Sequence, residues 1–366
     1  MNPFERAIRK VDATQRRFTP TAFVFGVVKT YGDDNGGVLV SNLAYSAFIA
    51  MFPLLLVLVT VLFYTTTVDP SFKAEVLKAV AKQVPQIGSQ LTGNVNVLKR
   101  SSTIGLIVGL VGLIWGSTGL AQAGLFTMEQ VWNLPGPARP GYVQRLGRAV
   151  LFLSLLGGGV IVTTGLTSLP NYVHNLGLGA EILIEVVTAA FNAGMYIGAF
   201  RVLTPKGVPV RKLLPGAITG GILWTVLQFV GTYLVHHYAH SDTVYGVFGT
   251  VLALIAWIYI AVEVTVYCAE INVVLSRRLW PRAMVQPPLT EADRASMALQ
   301  ALQNQRRPEQ HIEVTFDDRD PAEDEPTRVP RTPDEVAPPA DVTVSDSESR
   351  DEVPGSSPSS SGDRVK

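Results

Sequence analysis

Long apolar runs alternate with short polar connections along this chain, and the runs are too long for the strands or amphipathic helices of a soluble globule. Six of them reach the roughly 20 residues that a helix needs to cross a bilayer. They cover approximately 38–64, 103–126, 149–169, 180–203, 215–238 and 247–275, and each predicts a transmembrane helix. The first would measure roughly 40 Å as a helix, so it must tilt or kink. Pro53 in its middle removes a backbone donor and supplies the kink.

The connections carry patterns of their own. Between 65 and 102, Phe72, Val76, Val80 and Val84 recur every four residues, with Lys73, Lys78 and Lys82 turned away from them. Leu91, Val95 and Leu98 resume the stripe beyond Pro85 and Gly88. Two short amphipathic helices on the membrane surface are predicted. Residues 1–37 form an N-terminal amphipathic segment in which Phe4, Ile8 and Val11 oppose Arg6, Arg9 and Lys10, a pattern drawn to anionic lipid. The six-helix domain spans 38–282, and 283–366 reads as an acidic tail rich in Pro and Ser. Within it Thr290-Glu-Ala-Asp293 has capping-box spacing and predicts a short helix through Ala301. Beyond Pro308 there is too little apolar surface to fold, and disorder is expected.

Charge sharpens this division. The formal net charge is zero, but residues 1–282 hold 21 basic and 12 acidic side chains, while 283–366 hold 9 and 18. A basic, apolar body therefore cancels an acidic tail, and a single soluble globule is excluded. The expected fold class is an all-α polytopic membrane helix bundle with six transmembrane helices, amphipathic interfacial helices and a disordered C-terminal tail. Counting Lys and Arg in the connections gives 15 on one side and five on the other, which predicts both termini in the cytoplasm. The first apolar run begins near Val38, too deep and too long for a cleavable signal.

Few residues offer chemistry. The lone Cys268 excludes an internal disulfide and any Cys-based zinc or iron–sulfur site. Of five histidines only His236 and His237 are close in sequence, and helix neighbours point about 100° apart. No phosphate-cradling glycine loop and no Gly-x-Ser-x-Gly elbow occurs. No catalytic residue, metal, cofactor or nucleic-acid partner is expected.

Charge inside the bilayer is the strongest residue-level signal, because it costs about 2.5–3.5 kcal/mol at mid-membrane unless it faces a partner, a cavity or water. Glu263 and Glu270 lie two turns apart on one face of the last span, with Glu263 about 10 Å deeper. Arg201, at the inner end of the fourth span, is the expected cationic partner of Glu270, and Glu263 is expected to face a cavity. Such a pair near helix ends also serves simply to staple two helices. Asn42 and Ser46 lie one turn apart in the first span, and Gln122, Asn192 and Gln228 interrupt the second, fourth and fifth; each reads singly as an interhelical hydrogen bond, or together as a polar route. The spacings Gly105-x-x-x-Gly109 and Gly112-x-x-x-Gly116, with Gly157-Gly158-Gly159, supply small faces for close helix packing or for a homo-oligomer.

Asn42-Leu43-Ala44-Tyr45 followed by Phe52-Pro53-Leu54-Leu55 resembles the first span of the YihY/BrkB family of bacterial inner-membrane proteins. So do Tyr245-Gly246-Val247, Trp257-Ile258-Tyr259 and Ala269-Glu270-Ile271-Asn272 in the last span, and Pro205 through Pro215-Gly216-Ala217 ahead of the fifth. The chain departs from the family pattern at Cys268, where the family usually has Gly before Ala-Glu, and at Glu129-Gln-Val-Trp132, where it often has Asn-x-x-Trp. The resemblance implies six helices, an inner-membrane location and cytoplasmic termini. Relatives have been labelled ribonuclease BN and serum-resistance virulence factor; no motif in this chain supports a nuclease. The expected function is transport of a lipid or other amphiphile in envelope maintenance. Its alternative is a non-catalytic scaffold with membrane lipids, a second copy or an unidentified cytoplasmic protein as partners.

Overall fold

The structure is a computed structural model that describes residues 3–65, 102–168, 178–204, 207–238, 246–286 and 288–316. Among these residues every regular element is helical. Two helices of 15 residues, α1 (Pro3–Arg17) and α2 (Thr19–Asp33), lead into six long ones: α3 (Gly36–Thr65), α4 (Ser102–Val131), α5 (Tyr142–Ser168), α6 (Leu178–Leu203), α7 (Leu214–Tyr238) and α8 (Gly246–Arg277). A short α9 (Glu291–Gln303) follows.

The helix ends are written in the local sequence. Asn35, Asn133 and Arg278 take φ of 55°, 48° and 54°, the left-handed conformation that stops a helix. After Asn133 the Leu134 amide donates to the Glu129 carbonyl at 2.9 Å, and after Arg278 the Leu279 amide donates to Val274 at 3.1 Å. These six-residue closures satisfy carbonyls that the last turns of α4 and α8 would leave orphaned. Pro53 sits inside α3, as expected.

Because successive long helices reverse direction, the starts of α3, α5 and α7 meet the ends of α4, α6 and α8 at one end of the bundle. The dense core lies there, built from Leu39, Val40, Leu125, Met128, Phe200, Leu213, Ala217, Val266 and Val273. We call this the packed end. Small residues let the backbones approach: a Cβ on Gly116 would come within 3.0 Å of the Ala50 Cα, and one on Gly221 within 2.7 Å of the Ala193 nitrogen. The small face at Gly112 and Gly116 is therefore occupied by α3 itself, with Pro53 and Ala50 against it.

Outward faces are apolar as well. On α4, Ile107, Leu110, Val111, Ile114 and Trp115 are exposed at helical spacing, with Trp115 77% exposed; on α7, Ile222, Val226, Phe229 and Tyr233 are. Stripes of this size drive aggregation in water and belong in lipid. Five helices among the described residues are long and apolar enough to cross a membrane, contributed by α3, α4, α6, α7 and α8. The expected third span, 149–169, coincides with the 27-residue α5, which is not one of the five. The amphipathic helices expected between 65 and 102 lie outside the described residues.

In α1 the buried side chains are Asp12 and Gln15, while Val11 of the expected apolar stripe is exposed. Of the segment read as tail from 283, the described residues run to 316 and include α9, whose Ala292, Asp293 and Ser296 are buried. The expected capping box is present, with the Thr290 hydroxyl accepting from the Asp293 amide at 3.1 Å, and it starts α9. A few buried ionic contacts, described below, hold the segment in place. The expected disordered tail falls otherwise outside the described residues.

Candidate functional site

All six long helices contribute to a cavity of about 370 Å³ inside the bundle. Its wall is apolar: Leu43 from α3, Leu120 and Met128 from α4, Phe152 and Leu156 from α5, Phe200 and Leu203 from α6, Trp224 from α7 and Val262 from α8. Polar groups are few and convergent. Asn192 of α6 lines it and donates to the Thr225 hydroxyl at 3.4 Å, and the Tyr196 and Thr265 hydroxyls, both in the wall, are hydrogen-bonded at 3.2 Å. The volume lies in the range of roughly 300–1,000 Å³ typical of ligand sites, and the mixture of an apolar wall with sparse polar groups is theirs too.

The carboxylates expected to serve such a cavity stand elsewhere. On α8, Val262 and Thr265 face the cavity, whereas Glu263, about 100° round the helix from Val262, is half-buried and is not among the lining residues. It acts electrostatically on Tyr31 of α2 and on Tyr267. Those two rings stack with centroids 4.2 Å apart and planes at 15°. Burial first, and then the Glu263 carboxylate, push the Tyr31 phenol up to about 12. Tyr259, Glu263, Tyr267 and Glu270 follow spacings of four, four and three, so one face of α8 carries them all. That periodic stripe was present in the sequence, but only the two acids drew attention.

Glu270 is fully buried, and neither of its carboxylate oxygens has a hydrogen-bond partner among the described residues. The expected pair with Arg201 is absent. Arg201 is exposed in the last turn of α6 and donates to the Val208 carbonyl at 3.3 Å. The charges that reach Glu270 are instead those of Asp34 and Asp33, at the end of α2. Asn42 is exposed on α3 and Gln228 is buried on α7, so the structure does not gather the expected polar residues into one site.

At the packed end a charged cluster links distant parts of the chain. Arg282, 1% exposed, donates from Nε to Asp293 at 2.7 Å, from Nη2 to Asp33 at 2.5 Å and from Nη1 to the Thr30 hydroxyl at 3.4 Å. Lys29 donates to the same Asp293 oxygen at 2.9 Å and to the Ala283 carbonyl at 2.7 Å. Asp12 of α1 accepts from Arg16 and from the Met284 amide. Burial would raise the Asp293 carboxyl, but bonds from Lys29, Arg282, Thr290 and the Ala283 amide outweigh it and hold the group below the usual carboxylate range. Among the described residues, nearby Asp34 accepts only from side-chain amides, Asn133 at 3.2 Å and Gln300 at 3.4 Å. Burial dominates there and pushes Asp34 up to about 6. No sequence spacing joins residues some 250 positions apart, so this cluster was illegible before the fold was known. Among the described residues no three His, Cys, Asp or Glu side chains gather to hold a metal ion.

Apolar helices with lipid-facing stripes, packed around an internal cavity, define a polytopic helical membrane protein. More narrowly, the chain belongs to the virulence factor BrkB family, whose sequence model matches residues 27–290. It is 26% identical over 269 residues to a UPF0761 membrane protein of Alcanivorax borkumensis, covering 70% of this chain and 61% of that one. A UPF0761 membrane protein of Pseudomonas paraeruginosa is 29% identical over 166 residues, covering 44% of this chain and 40% of its own. The chain thus spans less than two thirds of the length of these relatives. It is also 23% identical over 254 residues to YfkH of Bacillus subtilis, named a ribonuclease-like protein, covering 65% of this chain and 89% of that one. No solved structure matches.

Proposed function

We propose that this protein is a transporter of a lipid or another amphiphile in the bacterial inner membrane, with both termini cytoplasmic and a role in envelope maintenance. One observation carries the reading: a cavity of about 370 Å³, apolar with sparse polar groups, to which every long helix contributes. An amphiphile needs such a wall for its chain and such groups for its head. The helix surfaces that face lipid put the cavity within reach of membrane-dissolved ligands.

The test is reconstitution of the purified protein in liposomes with a panel of labelled lipids and small amphiphiles. Translocation of one class is expected, and Leu156→Trp, which fills the cavity, should abolish it while the protein still inserts and folds. A folded protein that moves nothing across the panel would favour the scaffold reading, in which the bundle anchors a partner.

A further inference from the structure

The polar groups in the cavity wall donate in a fixed order. Thr265 gives its one hydrogen to the Ala261 carbonyl at 2.8 Å, so in the 3.2 Å contact with Tyr196 the phenol must be the donor. Thr225 likewise gives its hydrogen to the Gly221 carbonyl at 2.9 Å, and it can only accept from the Asn192 amide at 3.4 Å. Tyr196 and Asn192 both line the cavity, and these commitments limit what they can offer there. Tyr196 keeps the lone pairs of its oxygen. Asn192 keeps its carbonyl oxygen and one amide hydrogen. No further hydrogen bond engages these groups among the described residues.

Asn192 and Tyr196 stand one turn apart on α6, roughly 16 and 10 Å along the helix from its end at Leu203. At that depth charge is costly, and no charged side chain is among the described residues that line the cavity. A carboxylate, phosphate or ammonium entering it would shed its water and meet no opposite charge. Two acceptors and one donor suit a small neutral group that both gives and takes a hydrogen bond.

We propose that the cavity takes an uncharged amphiphile whose head is a hydroxyl, or a comparable neutral group with an O–H or N–H, held by Tyr196 and Asn192 with its hydrocarbon chain along Leu43, Leu120 and Leu156. The proposal rests on the transport reading for its site and names the substrate class, but it stands or falls by binding. The head donates to the Tyr196 or Asn192 oxygen and accepts from the Asn192 amide. Charged amphiphiles are refused by the neutrality of the wall rather than by its shape. Thr265 is a positioning residue: by taking the Tyr196 hydrogen it turns the lone pairs of the phenol toward the ligand.

The test uses four probes that share one chain: hexadecanol, its methyl ether, hexadecyl phosphate and hexadecyltrimethylammonium. Binding to the purified protein in nanodiscs of zwitterionic lipid is measured against empty nanodiscs at equal probe mole fraction. Hexadecanol should bind about tenfold more tightly than either charged probe. It should exceed the ether, which can only accept, by about fivefold. Leu156→Trp should remove hexadecanol binding. Tyr196→Phe keeps the ring that meets Phe200 edge-on with centroids 5.8 Å apart, and together with Asn192→Leu it should bring the alcohol down to the ether. Thr265→Val releases the Tyr196 hydrogen into the cavity, so the ether should gain on the alcohol; loss of both alike would overturn the assigned order of donation. A charged probe that equals hexadecanol in the unaltered protein would overturn the proposal, and so would an ether that equals it. Hexadecanol binding that survives Leu156→Trp would lie outside the cavity and overturn it too. Selective binding without translocation would defeat the transport reading alone; translocation with no preference for the neutral head would defeat this one alone.

Discussion

Glu270 is an acid without a partner in the most tightly packed part of the bundle. An uncompensated charge there is costly, and the amide isostere carries none. Glu270→Gln should therefore leave thermal stability unchanged or raise it. Arg201→Gln added to it should change nothing further, because the two residues make no contact; thermal melting of the single and double variants checks this, and coupling between them would restore the ion pair that the structure lacks. Asp34 gives a pH signature. Its carboxyl is raised from 3.8 to about 6, so its contribution is present below about 4 and lost as pH rises through 6. Asp34→Asn should accordingly be more stable than the parent at pH 7, with the gap closing as the pH falls to 4, measured as Tm across that range. At this scale the acids were legible beforehand, but their surroundings were not. A spacing of seven places Glu263 and Glu270 on one face, while what that face meets is decided by α2, more than 200 residues earlier.

The helices themselves were legible, since uninterrupted apolar runs leave little choice of element. Their ends were less so, because Asn133 and Arg278 stop α4 and α8 through a backbone conformation that composition does not announce. The segment after α8 was legible as a short helix through Ala301, but not what holds that helix in place. Its acidic composition suggested tail from 283, yet Asp293 is fully buried and accepts from Arg282, Lys29, Thr290 and the Ala283 amide. Removing one partner from a buried ion pair typically costs about 3–5 kcal/mol. Asp293→Ala should lower stability by that order and release α9, seen as new protease cleavage between 283 and 303. Deleting 318–366 should leave the melting temperature unchanged, because that stretch is rich in Asp, Glu, Pro and Ser and too poor in apolar residues to contribute a core.

For the whole molecule, fifteen basic residues on the proposed cytoplasmic side against five outside predict the orientation in the bilayer. The chain suits its own test, since its single cysteine, Cys268, is buried and should stay silent to an impermeant thiol reagent. A cysteine at Lys82 should react from outside the cell and one at Gly207 should not; the reverse pattern would invert the protein. The internal cavity could not have been foreseen, because it is made by six helices leaving a space, and no single run of residues encodes a space. The clamp at Arg282 has a practical consequence for anyone excising the common part of the family. The family match ends at 290, three residues short of Asp293. A fragment cut at that limit keeps Lys29 and Arg282 but leaves Asp33 as the one carboxylate still paired with Arg282, since Asp293 and Asp12 both fall outside the cut. The borders drawn by shared ancestry and the borders drawn by charge neutrality do not coincide in this protein, and the longer fragment is the one that keeps the clamp whole.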